Sequence, residues 1–173
     1  MVRYQEGSLE AFRELYAHLA SDLRRYVRFL TGGGDVADDL LQEAFLQLHR
    51  SRAAYSPAYA VRPWMFGLAR NVCLMNRRAM RRRANIHAMG SDLPDVPVPA
   101  DVDRLADADA IRHCLAELPA DHAEALTLHH VWGFSFDEIA GMLWVSAAAA
   151  RARASRGMAR LRANLERLSR PIG

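Results

Sequence analysis

Residues 135–143, "SFDEIAGML", run into the short joint "WVS" (144–146) and then into "SAAAARARASRGMARLR" (146–162). Two helical segments separated by three or four residues read as a helix-turn-helix. The second segment holds five arginines, seven alanines and little that is large. With Ala150 at the centre of a helical wheel, Ala154, Gly157, Leu161, Leu165 and Leu168 fall within about 60° of it and form a packing stripe. Ala148, Ala152, Ser155 and Ala159 occupy the opposite side, edged by Arg151 and Arg162 on one flank and by Arg153, Arg156 and Arg160 on the other. A low strip between guanidinium edges fits a major groove. Small side chains permit close approach, arginine reaches phosphates and guanine edges, and alanine can meet a thymine methyl. The same residues also make an ordinary solvated helix, since alanine and arginine are both good helix formers.

Trp144 stands where such joints commonly hold glycine, which adopts a positive φ at little cost. If that backbone geometry is required, tryptophan there costs about 1 kcal/mol or more. Its side chain is then either packed on the domain or presented to a partner. Upstream, "DAIRHCLAELP" and "ADHAEALTLHHVWG" supply two more helices of the same unit.

Further back the composition changes. Residues 91–110 carry six aspartates against one arginine, with Pro94, Pro97 and Pro99 among them. Prolines and aspartates without helical period read as an extended linker, here over 88–109. It separates a unit over 1–87 from one over 110–173. The first unit is basic, with 14 arginines against 8 acids in residues 1–90. It also reads as helix. From Ser8, a good N-cap, apolar residues recur at Leu9, Phe12, Leu15, Tyr16, Leu19, Leu23, Tyr26, Val27 and Leu30, an amphipathic period. "TGGG" stops that helix, and Asp35 can cap the next, with Val36, Leu40, Ala44, Phe45 and Leu48 inward. After the loop "SPAYAVRP", Pro63 suits the first turn of a third helix, whose core positions are Trp64, Leu68 and Val72. No segment alternates like a strand, so the fold class is all-α.

Composition narrows the function classes. In the 173-residue chain, half the residues are apolar, enough for packed cores. All 23 basic residues are arginine, whose planar fork suits phosphate and base edges. No apolar run approaches the roughly 20 residues that span a bilayer, and the start "MVRYQEGSLE" has no apolar signal stretch. Cys73 and Cys114 form no CxxC pair and read as free thiols. A soluble cytoplasmic protein is expected. The histidines at 113, 122, 129 and 130, with Cys114, lack metal-site spacing. No nucleophile–base pair or phosphate loop stands in supporting context, so neither enzyme nor cofactor nor metal is expected.

Two stretches carry a family resemblance. "DVADDLLQEAFLQLHR" with "RPWMFGLARNVCLMNRRAMRRR" resembles region 2 of the extracytoplasmic-function (ECF) sigma factors of bacterial RNA polymerase. "LAELPADHAEALTLHHVWGFSFDEIAGML" with "RARASRGMARLR" is similar to their region 4. The resemblance implies two small helical domains, a region 2 bundle of three to four helices and a region 4 helix-turn-helix, with the linker between. It implies core polymerase as partner, through the beta-prime coiled coil and the beta flap, along with promoter DNA and an anti-sigma factor. Asp38, Asp39, Gln42 and Glu43 match the family's core-docking helix. Trp64, Arg70, Asn71, Arg77 and Arg78 match the stretch that captures the opened −10 strand. Arg151, Ala152, Ser155 and Arg156 fall at its −35 base-contacting positions, while Arg153 and Arg160 suit phosphate.

The chain departs from the family pattern in three places. Met75 stands where aspartate is frequent, Met158 where a basic residue is frequent, and "AAARAR" replaces a "GTVKSR"-like run. The function expected is promoter recognition and transcription initiation. The alternative is a sigma-like adaptor that binds an anti-sigma factor without reading DNA.

Overall fold

A computed structural model describes residues 1–87 and 108–169, and the chain divides into two compact units, Met1–Pro94 and Asp95–Gly173. The described residues are helical and contain no strand. Most of the expected linker, residues 88–107, lies outside them. Ala108 and Asp109, expected to end it, instead open a helix.

The first unit comprises α1 (Val2–Gln5), α2 (Leu9–Thr31), α3 (Val36–Ser51), a 3-10 turn (Arg52–Ala54) and α4 (Val61–His87). Ser8 caps α2 as its sequence position suggests, its hydroxyl accepting from the Ala11 amide at 3.2 Å. Gly32 ends the helix with φ 87°, a left-handed turn in which its own amide donates back to Arg28. Asp35 stands at the N-cap of α3, yet its side chain makes no capping bond because its backbone is already helical, at φ −65° and ψ −27°. The early helix α1 carries no long-range apolar period and was not foreseen.

Three helices share the core. Leu23, Tyr26 and Val27 of α2, Leu40, Ala44 and Leu48 of α3, and Met65, Phe66, Ala69 and Val72 of α4 are all buried. Tyr26 stacks on Phe66 with ring centroids 4.8 Å apart; burying a ring of that size stabilises by about 1.5–3 kcal/mol. Two expectations about the core fail at the edges. Val36, at the open end of α3, is 39% exposed. On α4 the buried stripe runs through Met65, Phe66 and Ala69, which leaves Trp64 and Leu68 only half-buried.

A charged tie crosses the same core. Asp22 of α2 accepts from Arg25 at 2.6 Å and from Arg62 of α4 at 3.0 Å. Burial alone would raise its pKa, but the hydrogen bonds and charges of Arg25 and Arg62 outweigh it and hold the carboxyl below its ordinary range.

The second unit comprises α5 (Ala108–Ala116), α6 (Ala120–His130), α7 (Phe136–Leu143) and α8 (Ala147–Ser169). "SFDE" is a capping box. The Ser135 hydroxyl accepts from the Glu138 amide, and the Glu138 carboxylate accepts from the Ser135 amide at 2.8 Å. Ser146 then caps α8, accepting from the Ala149 amide at 3.1 Å. Between them Trp144 takes φ 57° and ψ 46°. The left-handed joint is therefore real, and tryptophan carries its strain, about 1 kcal/mol or more.

α8 lies on α6 and α7 through its small residues. Ala150, Ala154 and Gly157 are buried. A Cβ built on Gly157 would stand 2.9 Å from the His122 carbonyl oxygen, so the α6 backbone occupies the space where a side chain would be. Beyond Gly157 the expected stripe weakens. Leu161 and Leu165 are half-buried and Leu168 is 48% exposed. The inward place passes to Asn164, whose amide donates to the Cys114 carbonyl at 3.4 Å. Arg167 also pairs with Glu117 at 2.6 Å.

Two outcomes follow from this packing. Gly157→Ala should cost about 1–3 kcal/mol by overpacking α8 against α6, measured by urea unfolding. Asp22→Asn should cost about 1–2 kcal/mol at neutral pH. Because the folded carboxyl is more acidic than the unfolded one, its contribution is complete above the unfolded value near 3.8 and is lost as pH falls through the folded value. Unfolding curves for wild type and variant should therefore converge on acidification below that value.

Candidate nucleic-acid and partner interfaces

The outward side of α3 is built from its acidic start. Asp38 is tied back to Arg24 of α2 at 2.8 Å. Asp39 and Gln42 are exposed and have no partner among the described residues. Glu43 leans the other way, accepting from Gln47 at 3.2 Å and Arg50 at 3.1 Å. The four residues matched to core docking thus divide. Asp39 stands on a crest between two grooves, and Gln42 and Glu43 fall on opposite flanks. On the Gln42 flank, Tyr4, Phe12, Tyr16, Phe45 and Leu46 wall an apolar groove of about 520 Å³. Leu9, at the start of the α2 apolar stripe, also lines it and is 71% exposed. On the Glu43 flank, a groove of about 500 Å³ runs between α3 and α4, lined by Gln47, Met75, Asn76, Arg78 and Arg82 among others.

α4 sorts its residues in the same way. At 100° per residue, Trp64, Asn71 and Arg78 share one side to within about 40°, together with Met75 and Arg82. Arg70 and Arg77 lie roughly 120° to 140° away on the same scale. The Trp64 ring is half-buried, 5.0 Å from Tyr55. Arg77 and Arg78 are exposed, whereas Arg70 and Asn71 are half-buried. The residues matched to strand capture therefore occupy two faces. The one that borders the second groove combines an aromatic ring, an amide and cations, a mixture suited to unpaired bases and their phosphates. Gln47 joins it from α3 across the groove, and Asn76 of α4 lines the same groove. Gln47 stands on α3, so no single-helix period announces that it faces α4.

On α8, Ala148, Ser155 and Ala159 are exposed, and Ala152 is half-buried. The two flanks differ in how their arginines are held. Arg153 is half-buried and pairs with Asp121 of α6 at 3.3 Å, which ties α8 to α6. Arg156 and Arg160 are exposed and make no ion pair among the described residues.

Arg151 is positioned by a stack. Its guanidinium carbon lies 5.2 Å over the Phe136 ring, and His129 stacks on the same ring with centroids 4.2 Å apart. His129 is fixed in turn, its Nδ1 donating to the Phe134 carbonyl at 2.9 Å. A guanidinium lying on a ring keeps its edge donors available for a second, in-plane partner. Burial, then His129 and Arg162, lowers the pKa of His130 beside this stack, which favours its neutral form. Phe136, His129 and Asp121 were not found from sequence. Their partners lie on other helices, and the only local sign was that "SFDE" places Phe136 at a helix start.

The family description Sigma-70 region 2 matches residues 15–83, and Sigma-70, region 4 matches residues 108–161. The RNA polymerase sigma factor CarQ of Myxococcus xanthus is 36% identical over 166 residues, covering 94% of this chain and 93% of that protein. The chain belongs to the ECF sigma factors. The ECF RNA polymerase sigma factor SigM of Mycobacterium tuberculosis is 31% identical over 156 residues, which cover 90% of this sigma factor and 77% of that one. Among solved structures, the fold is shared with the sigma factor RpoE in complex with the anti-sigma factor NepR from Bartonella quintana. That match has a TM-score of 0.79 at 23% identity, covering 94% of this chain and all of the other. CnrH in complex with the cytosolic domain of CnrY follows with a TM-score of 0.70 at 23% identity, covering 95% and 94%. Among the described residues no helix is long and apolar enough to cross a membrane.

The Phe136 platform can be measured without DNA. In a double-mutant cycle of Phe136→Leu and Arg151→Ala read by chemical unfolding, a coupling of about 0.5–1 kcal/mol is expected. Strict additivity would show that the two side chains are neighbours without interaction.

Proposed function

We propose that this sigma factor acts in the cytoplasm as the promoter-specificity subunit of RNA polymerase, with the labour split along the chain. Residues 1–87 bind core enzyme and the opened −10 strand, residues 110–173 bind the −35 duplex, and residues 88–109 join them. Asp39, with Gln42 beside it, docks on the beta-prime coiled coil. Asp38 and Glu43 support that crest from either flank through Arg24 and Arg50. Trp64, Asn71 and Arg78 receive displaced bases, and Arg70 and Arg77 follow the strand's backbone on the adjoining side. On α8, Arg151, Ala152, Ser155 and Arg156 meet base edges and Arg160 meets phosphate. The beta flap holds the second unit on core.

One observation carries this reading. Among the described residues, a carboxylate crest on α3 and guanidinium groups on α8 have no ion-pair partner, each on the unit whose family relation calls for it. The protein itself breaks no bond; DNA opening draws on the binding of displaced bases and backbone. The structures of RpoE with the anti-sigma factor NepR and of CnrH with the cytosolic domain of CnrY are complexes of relatives in fold with partner proteins. They support control of this sigma factor by an anti-sigma factor.

Changing one charge on each face separates the roles. Asp39→Arg should abolish association with purified core polymerase in a pull-down. Arg156→Ala should leave that association intact and lower promoter affinity by about ten-fold or more. Loss of core binding by the second variant would reverse the assignment of the two faces.

A further inference from the structure

Trp144 is 79% exposed and holds a left-handed backbone. It is the one residue other than glycine with a positive φ among the described residues; Gly7, Gly32, Gly33, Gly34 and Gly133 fill the rest. At those five positions the chain uses the residue that costs least. At the helix-turn-helix joint it keeps the largest side chain available and leaves it in water, where an indole gains nothing from the fold. Strain that no internal contact offsets is found where a side chain serves a binding partner.

The surroundings indicate which partner. Ser146 and Ala148 on the joint side of α8 are exposed next in the chain, and Arg151 follows one turn on. This surface is continuous with the strip assigned to the −35 duplex. The first turn of α8 holds no acid, and Asp137 and Glu138 stand at the far end of α7 from Trp144. An acid-free patch with a flat ring, a hydroxyl and a guanidinium fits a polyanion with an apolar sugar face. An indole can lie on deoxyribose while its N–H donates to a phosphate oxygen.

We propose that Trp144 is a DNA-contacting residue of this sigma factor, its indole laid on the sugar–phosphate backbone at the edge of the −35 duplex that α8 enters. The contact lends affinity and fixes register rather than reading a base. It offsets what the alanine-rich start of α8, with no arginine before Arg151, does not supply. The inference rests on the promoter reading above.

The test benefits from an unusual property of the site: the informative variant relieves strain. Full-length wild type, Trp144→Gly and Trp144→Phe are each assembled with core polymerase. Binding is then measured by competition on genomic duplex fragments that the wild-type holoenzyme retains, and on the same fragments trimmed of their upstream half. Trp144→Gly should melt no earlier than wild type and bind core equally. It should bind the full duplex about five-fold more weakly, with Trp144→Phe recovering much of the loss. On trimmed fragments all three proteins should be equal. Equal affinity of the glycine variant and wild type on the full duplex would overturn the proposal. So would a loss confined to core association, which would assign the indole to a protein partner. If wild-type holoenzyme retains no genomic duplex at all, the promoter reading fails first and the Trp144 contact fails with it.

Discussion

The approach of α8 to α6 sets the rest of the second unit. Helices pack closely only where their facing residues are small, and Ala150, Ala154 and Gly157 bring α8 so near that the His122 carbonyl fills the place of a side chain. With that face committed, the arginines at 151, 156 and 160 have no course but outward. Arg153 is near enough to α6 to be captured by Asp121. Burial by small residues contributes little apolar area per contact. The unit is therefore reinforced by specific bonds: the Ser135–Glu138 box, the Ser146 cap, and Asn164 to the Cys114 carbonyl.

The first unit solves a different problem with the same materials. Its core is aromatic and large, and it holds α2, α3 and α4 tightly enough to leave α3 free to expose its acidic side. Asp22 fastens α2 to α4 through Arg62 and is also held by Arg25 of its own helix, while Asp39 faces solvent with no ion pair among the described residues. An acidic crest on the first unit and arginine-bearing faces on both units thus offer opposite charges to different partners. Electrostatic complementarity of that kind governs encounter rate and partner choice more than tightness. It suits a subunit that must meet a protein by one face and DNA by another.

Much of this was legible in the sequence, and the failures have a common cause. The 3.6-residue period located α2, α3 and α8, and the joint at Trp144 was placed to the residue, including the backbone strain a side chain would bear there. Periodicity, however, describes one helix at a time. It assigned Leu9, Val36 and Leu168 to the core because they sit on apolar stripes, but all three lie near helix ends and are exposed. It gave Trp64 and Leu68 the inward place on α4, which Met65, Phe66 and Ala69 take. The same blindness hid every functional contact made between helices. Arg153 reads as a free cation until Asp121 is seen beside it, and Arg151 reads as unsupported until Phe136 lies under it. The docking set read as one cluster because Asp38, Asp39, Gln42 and Glu43 are close in sequence. One helical turn separates them into a crest and two flanks.

The division of labour between an acidic face for the machine and a basic face for the gene stands or falls on initiation itself. Run-off transcription from genomic fragments, with purified core polymerase and with or without this chain, measures it directly. Discrete transcripts that appear only when the chain is added are the expected result. Core polymerase that binds the chain yet starts no new transcript would contradict it, leaving an adaptor that grips polymerase or its regulators without reading DNA.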